Sequence, residues 1–84
     1  MTRRSKALAI EVAKRGVRVN AVAPGTIKTP IHAPAWLDVL AKRHPLGRVG
    51  EVRDVVDAVL YLESASFVTG QILHVDGGEA AGLA

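Results

Sequence analysis

The sequence predicts an α/β fold built on two parallel strands that belong to a larger sheet, and three observations carry this reading. Two apolar stripes of helical spacing, over residues 5–13 and 52–60, each precede a short strand-forming run, "VRVNAVAP" and then residues 72–75. The element order is therefore helix, strand, long loop, helix, strand, and two strands joined through a helix are as a rule parallel. Parallel strands are found almost only in sheets covered on both faces, which two strands alone cannot build. The expectation is a segment of a wider sheet, or an obligatory partner of other chains.

Ser5, Leu8, Ala9, Val12 and Ala13 share one stripe of a first helix over about residues 2–15, with Lys6, Lys14 and Arg15 mainly outside it. Gly16 follows where a helix end favours positive φ, beside basic residues that suit the negative end of the helix dipole. "VRVNAVAP" is too short for another helix and rich in valine. It reads as a strand closed by Pro24, which lacks the amide hydrogen to continue a ladder. Residues 26–49 hold three of the four prolines, the only tryptophan and two of the three histidines, the composition of a loop with a helix over about residues 35–42. Glu51 and Asp54 open the next helix, where the dipole favours acids, and Val52, Val55, Val56, Val59 and Leu60 are its expected core stripe. A second strand at Ile72 to Val75 ends at Asp76-Gly77-Gly78, and the tail "EAAGLA" shows no clear pattern.

Composition bounds the function. With 49% hydrophobic and 23% charged residues, the 84-residue chain is composed like a globular unit, of a size that buries only roughly 60% of its unfolded surface. It has no cysteine, so neither disulfides nor a thiolate metal site supplement the core, which fits a reducing, cytoplasmic setting. The formal charge of +3 comes from scattered Lys and Arg with no aromatic interleaving, the pattern of solvated helix surface and not of a nucleic-acid patch. No apolar run is long enough for a signal peptide or a membrane span. His32, His44 and His74 do not form a ligand cluster by spacing, so no metal is expected.

"RVNAVAPGTIKTP", taken with "PLGRVGEVRDVVDAVLYLESASFVTGQILHVDGG", closely resembles the C-terminal part of the short-chain dehydrogenase/reductase family. The resemblance runs from about residue 5 to residue 78 and rests on a combination: a strand ending in PGxxxT, PLGR-G, the acidic helix start and VTGQ-L-VDGG. It implies the last two parallel strands of a Rossmann-type doubly wound sheet, a single segment with a substrate loop over about residues 26–49. It implies an NAD(P)-dependent oxidoreductase that moves hydride between a nicotinamide and an alcohol or carbonyl substrate. The family's glycine-rich dinucleotide turn, NAG motif, catalytic Ser and YxxxK pair belong upstream of the present sequence. No catalytic residue is assigned here: four positions after Tyr61 stands Ala65, and four before Lys6 stands Thr2. Activity is therefore not expected of these 84 residues alone, and Lys6 is read as helix surface.

Ligands of doubly wound sheets lie at the carboxyl ends of the strands, which is where Pro24-Gly25 falls. Glycine there lets the backbone approach a flat ring. By resemblance, Pro24 and Gly25 pack beside the nicotinamide of NAD or NADP, the Ile27 backbone bonds its carboxamide, and the Thr29 hydroxyl reaches the carboxamide or a phosphate. Ile31, His32, Trp36 and Leu37 fall on the substrate side, as an apolar wall or, alternatively, on a helix packed on its own core through Trp36 and Leu40. Arg48 serves an anion or the helix start, and Asp76 a turn. The last helix and strand, residues 52–75, are the surface expected to meet a second subunit of a homo-oligomer. The other reading is a catalytically inactive, truncated relative that acts only as an assembly or interaction module.

Overall fold

The computed structural model describes residues 2–30 and 34–82, Ala35 by its backbone alone. Its elements are α1 (Arg3–Ala13), β1 (Ala21–Pro24), α2 (Pro34–Ala41), α3 (Val52–Ser64), β2 (Ile72–Val75) and α4 (Glu79–Gly82). The expected order holds. The tail expected to lack pattern begins with the one-turn α4, which Asp76 starts by accepting the amides of Gly78 and Ala80, both at 3.0 Å.

Capping residues set the helix ends. Thr2 accepts the Ser5 amide at 3.1 Å to open α1. The helix closes with Val17 N–H on Val12 carbonyl and Gly16 at φ 74°, the left-handed residue that such an end requires. Asp54 accepts the Glu51 amide at 2.7 Å across the first turn of α3, so the acid expected there works as a cap as well as a dipole partner.

β1 and β2 pair in parallel with Ala21 opposite Ile72 and Pro24 opposite Val75. The first strand is shorter than the run 17–24 suggests because side chains replace the ladder upstream. Asn20 accepts the Gln71 amide and donates to the Val68 carbonyl, both at 3.0 Å, and Thr69 Oγ1 accepts the Val19 amide at 3.0 Å. The Val19 and Gln71 amides are thus satisfied by a hydroxyl and a side-chain amide, while the Val19 carbonyl keeps a backbone bond from Gly70 at 2.7 Å. Lys6, read as surface, is exposed and reaches the Gly70 carbonyl at 3.1 Å.

α3 packs on both strands, but not through its expected stripe. It buries Ala58 and Leu62 and half-buries Val55, whereas Val52, Val56, Val59 and Leu60 are 46–57% exposed. The helix carries two apolar faces about a third of a turn apart, and the periodicity of bulky residues marks the wrong one. Ala58 lets the helix lie close on a sheet of two four-residue strands. Among the described residues the buried apolar core is Ala9, Val12, Ala58 and Leu62. The radius of gyration is 15.1 Å, against about 12 Å for a compact domain of this length. The chain is spread out and does not close on a core of its own, as expected of a segment of a wider sheet. No described helix is long and apolar enough to cross a membrane.

Candidate functional site

The turn after β1 lies at the carboxyl end of the sheet, and its geometry follows from strand parity. Ala21 and Gly25 donate to Gln71 and Val75 carbonyls at 2.9 and 3.0 Å, so alternate residues from 21 to 25 face β2. Pro24 falls between them. Its missing amide hydrogen therefore lies on the open edge of β1, and the bond to β2 continues one residue beyond it. Proline removes a donor from the far edge; it does not stop the ladder with β2, as the sequence alone suggests.

Gly25 is required by space. It is not at positive φ, yet a Cβ there would lie 2.7 Å from His44 Nε2 and 2.9 Å from Asp76 Cα. The close approach it permits is to the β2–α4 turn and to the imidazole at the end of α2, where the sequence pointed to a flat ligand ring. Beyond it, Gly50 brackets Ile27: the Gly50 amide donates to the Thr26 carbonyl and the Lys28 amide to the Gly50 carbonyl, both at 2.8 Å. In such a parallel bridge the N–H and C=O of Ile27 itself face the opposite way. Among the described residues neither has a partner. A backbone donor and acceptor are therefore presented side by side at the carboxyl end of the sheet, a match for a primary amide.

Thr29, half-buried, lines an open groove of about 360 Å³ with Lys28, Pro30, Pro34, Leu37 and Glu51. The structure thus brings together two of the sequence-derived candidates, Thr29 and Leu37, next to Ile27. Trp36 stands 62% exposed on α2, so of the alternative pair Trp36 and Leu40 only Leu40, half-buried, faces inward. Ile31 and His32 lie outside the described residues.

A second cleft, about 400 Å³, is lined by Thr26, His44, Arg48, Asp54, His74 and Asp76 among others, and is the more charged of the two. Arg48 pairs with Asp54 at 3.1 Å, so it serves the helix start. The Arg48 guanidinium first, and the Glu51 amide next, hold the Asp54 carboxyl below the usual aspartate range. The amides of Ala80 and Gly78 do the same for Asp76. His44, assigned no role in the sequence, is 3% exposed and touches the Pro24-Gly25-Thr26 turn directly, with Thr26 N–H donating to its Nε2 at 3.2 Å. No periodicity marks it, because it follows the end of α2 and, apart from the Leu40 carbonyl one turn earlier, its side-chain neighbours Thr26, Gly25 and Gly77 are eighteen or more residues away. Asp76 did carry a signal: an aspartate before Gly-Gly-Glu is a helix start as well as a strand end.

Comparison with known proteins shows the family and the fold. A family model described as enoyl-(acyl carrier protein) reductase matches residues 1–79. Carbonyl reductase family member 4 of Xenopus laevis is 51% identical over 74 residues, covering 88% of this chain and 31% of its own length. The 3-oxoacyl-[acyl-carrier-protein] reductase of Bos taurus is 49% identical over 74 residues, 88% of this chain and 31% of that protein. The solved structure of ElxO with NADP bound superposes with a TM-score of 0.84 at 34% identity, over 93% of this chain and 35% of that one. The chain thus spans about a third of the length of these relatives. On the match across nearly all of its residues, and on the parallel strands and turn that carry it, the chain belongs to the short-chain dehydrogenase/reductase family.

Proposed function

We propose that the chain acts as the C-terminal part of an NAD(P)-dependent oxidoreductase that transfers hydride between a nicotinamide and an alcohol or carbonyl substrate. The observation that carries this is the outward-facing backbone pair of Ile27, set at the carboxyl end of a parallel sheet in a chain of this family. When bound, the nicotinamide accepts or supplies the hydride. The residues of this chain orient it: Ile27 N–H donates to the carboxamide oxygen, and Ile27 C=O accepts from the carboxamide NH₂. Pro24 and Gly25 form the wall beside the ring and ribose, and the Thr29 hydroxyl reaches the carboxamide or a phosphate. Holding the ring at one angle contributes through geometry alone. Proton transfer is assigned to the Ser, Tyr and Lys of the family's upstream motifs.

The groove with Leu37 and the neighbouring α2 form the substrate side, for a small alcohol or carbonyl compound. The exposed apolar face of α3, with Phe67 wholly exposed, is the contact with a second copy in a homo-oligomer. That same face favours the second reading, an inactive assembly module, over any activity of the chain in isolation.

One experiment separates the two. The chain is fused in register behind the upstream two thirds of the Xenopus laevis carbonyl reductase family member 4, and NADPH and NADH oxidation are followed with simple ketone and quinone substrates. Turnover that is lost on Ile27→Pro, which removes the donor, supports the oxidoreductase reading. A folded, oligomeric fusion that binds neither cofactor overturns it in favour of the module.

A further inference from the structure

The imidazole of His44 is buried, and a polar group at each ring nitrogen fixes its chemistry. Its Nδ1 lies 3.1 Å from the carbonyl oxygen of Leu40, one turn earlier in α2. A carbonyl only accepts, so Nδ1 carries the hydrogen. Its Nε2 lies 3.2 Å from the amide nitrogen of Thr26, which only donates, so Nε2 presents its lone pair. The ring is thereby held as the Nδ1–H tautomer, with both nitrogens used and 3% of the residue exposed.

The two glycines beside it leave the room that the side chain occupies. A Cβ on Gly25 would fall 2.7 Å from Nε2, and a Cβ on Gly77 would fall 3.0 Å from the His44 Cβ. The same residue therefore touches the end of α2, the Pro24-Gly25-Thr26 turn and the Asp76-Gly77 turn. The Thr26 carbonyl is meanwhile held by the Gly50 amide at 2.8 Å, so the His44 bond completes the anchoring of Thr26 on both sides. The peptide that follows is the one that presents Ile27.

We propose that His44 is a positioning residue: it clamps the turn that presents the Ile27 backbone to the end of the substrate-side helix α2, so that the position of α2 and the angle of the turn are coupled. This rests on the proposed function insofar as the turn is a cofactor turn. The clamp itself is a property of the chain. A buried, fully bonded imidazole between two glycines is an expensive arrangement to leave without a purpose, since an aliphatic side chain fills the same space without needing two partners.

Three variants divide the two bonds. His44→Gln keeps an acceptor near the Nε2 position, His44→Asn keeps a donor near the Nδ1 position, and His44→Leu keeps neither. Two measurements are made on the isotopically labelled fusion described above: the His44 ring nitrogen signals of the unsubstituted protein, and amide hydrogen exchange at Thr26 in all four forms. The expected results are an Nδ1–H tautomer, and Thr26 exchange about fivefold or more faster in His44→Asn and His44→Leu than in His44→Gln. An Nε2–H tautomer, or equal Thr26 exchange in His44→Gln and His44→Asn, overturns the clamp; the tautomer signal needs no variant to fold. In the fusion described above, cofactor affinity should fall about fivefold in His44→Asn relative to His44→Gln. Equal affinity in the two overturns the coupling of His44 to the cofactor. Absence of cofactor binding in the unsubstituted fusion, with the tautomer and exchange pattern intact, overturns the functional reading and leaves the clamp standing.

Discussion

Arg18 donates from Nη2 to the carbonyl oxygen of Glu63 at 2.6 Å, a charged cap on the last turn of α3 supplied from forty-five residues earlier. Its Nη1 adds the carbonyls of Leu62 at 2.8 Å and Val68 at 3.1 Å. A helix end leaves carbonyls without intrahelical partners and carries partial negative charge, and a planar guanidinium meets both needs at once. This ties the entry of β1 to the end of α3, and so fixes where β1 delivers its turn. Arg18→Gln should lower stability by about 1–3 kcal/mol, read from the urea midpoint. Arg18→Lys should recover less than half of that, because an ammonium cannot span three carbonyls.

Gly25 makes a second expectation sharp. Its backbone is ordinary, so alanine there acts through volume alone: the added carbon meets His44 Nε2 at 2.7 Å and Asp76 Cα at 2.9 Å. Gly25→Ala should destabilise the fold by about 1–3 kcal/mol, as overpacking does. Trimming the ring in Gly25→Ala/His44→Ala should recover little, since Asp76 Cα is main chain. Differential scanning of the single and double variants checks this.

The two capping carboxylates set the acid limit. Amides of Ala80 and Gly78 keep the Asp76 carboxyl below the usual aspartate value of 3.8, and Arg48 with the Glu51 amide do so for Asp54. A lowered folded-state value means that the unfolded chain takes up protons first as pH falls. Stability from both groups is therefore complete above about pH 4 to 5 and is lost as pH drops through their folded-state values. Asp76→Asn should flatten the acid side of the stability profile while leaving its slope near neutrality unchanged, measured by urea unfolding from pH 2.5 to pH 7.

The exposed face of α3 predicts assembly. Val56 and Leu60 are 46% and 54% exposed and lie off the face that meets the sheet. Val56→Asp and Leu60→Glu should therefore leave the helical circular dichroism unchanged and shift the sedimentation profile towards monomer. A profile identical to that of the unsubstituted chain would count against this face as the subunit contact.

Much of the fold was legible in local pattern. The periodic stripes, the acid at the start of α3 and Gly16 past the end of α1 place three boundaries, because each depends on residues within one or two turns. What was not legible depends on distant partners. The core face of α3 is chosen by the sheet it meets, and the small residue Ala58 decides it where the valines suggested otherwise. Asn20 shortens β1 by replacing a ladder with a side chain, and its partners lie fifty residues on. At the site, Pro24, Gly25, Ile27 and Thr29 mark the turn, but the reason for glycine lies in Asp76 and His44. The direction of the Pro24 nitrogen follows from a register that no single strand contains.

The most direct measurement is a set of intermolecular nuclear Overhauser effects in the fusion, between the nicotinamide ring protons of bound NADP and labelled Ile27 and Thr29. The expected contacts run from the carboxamide side of the ring to the Ile27 amide and to the Thr29 methyl, both weakened in His44→Asn. Bound NADP whose nicotinamide shows contacts to other residues and none to Ile27 or Thr29 would contradict it.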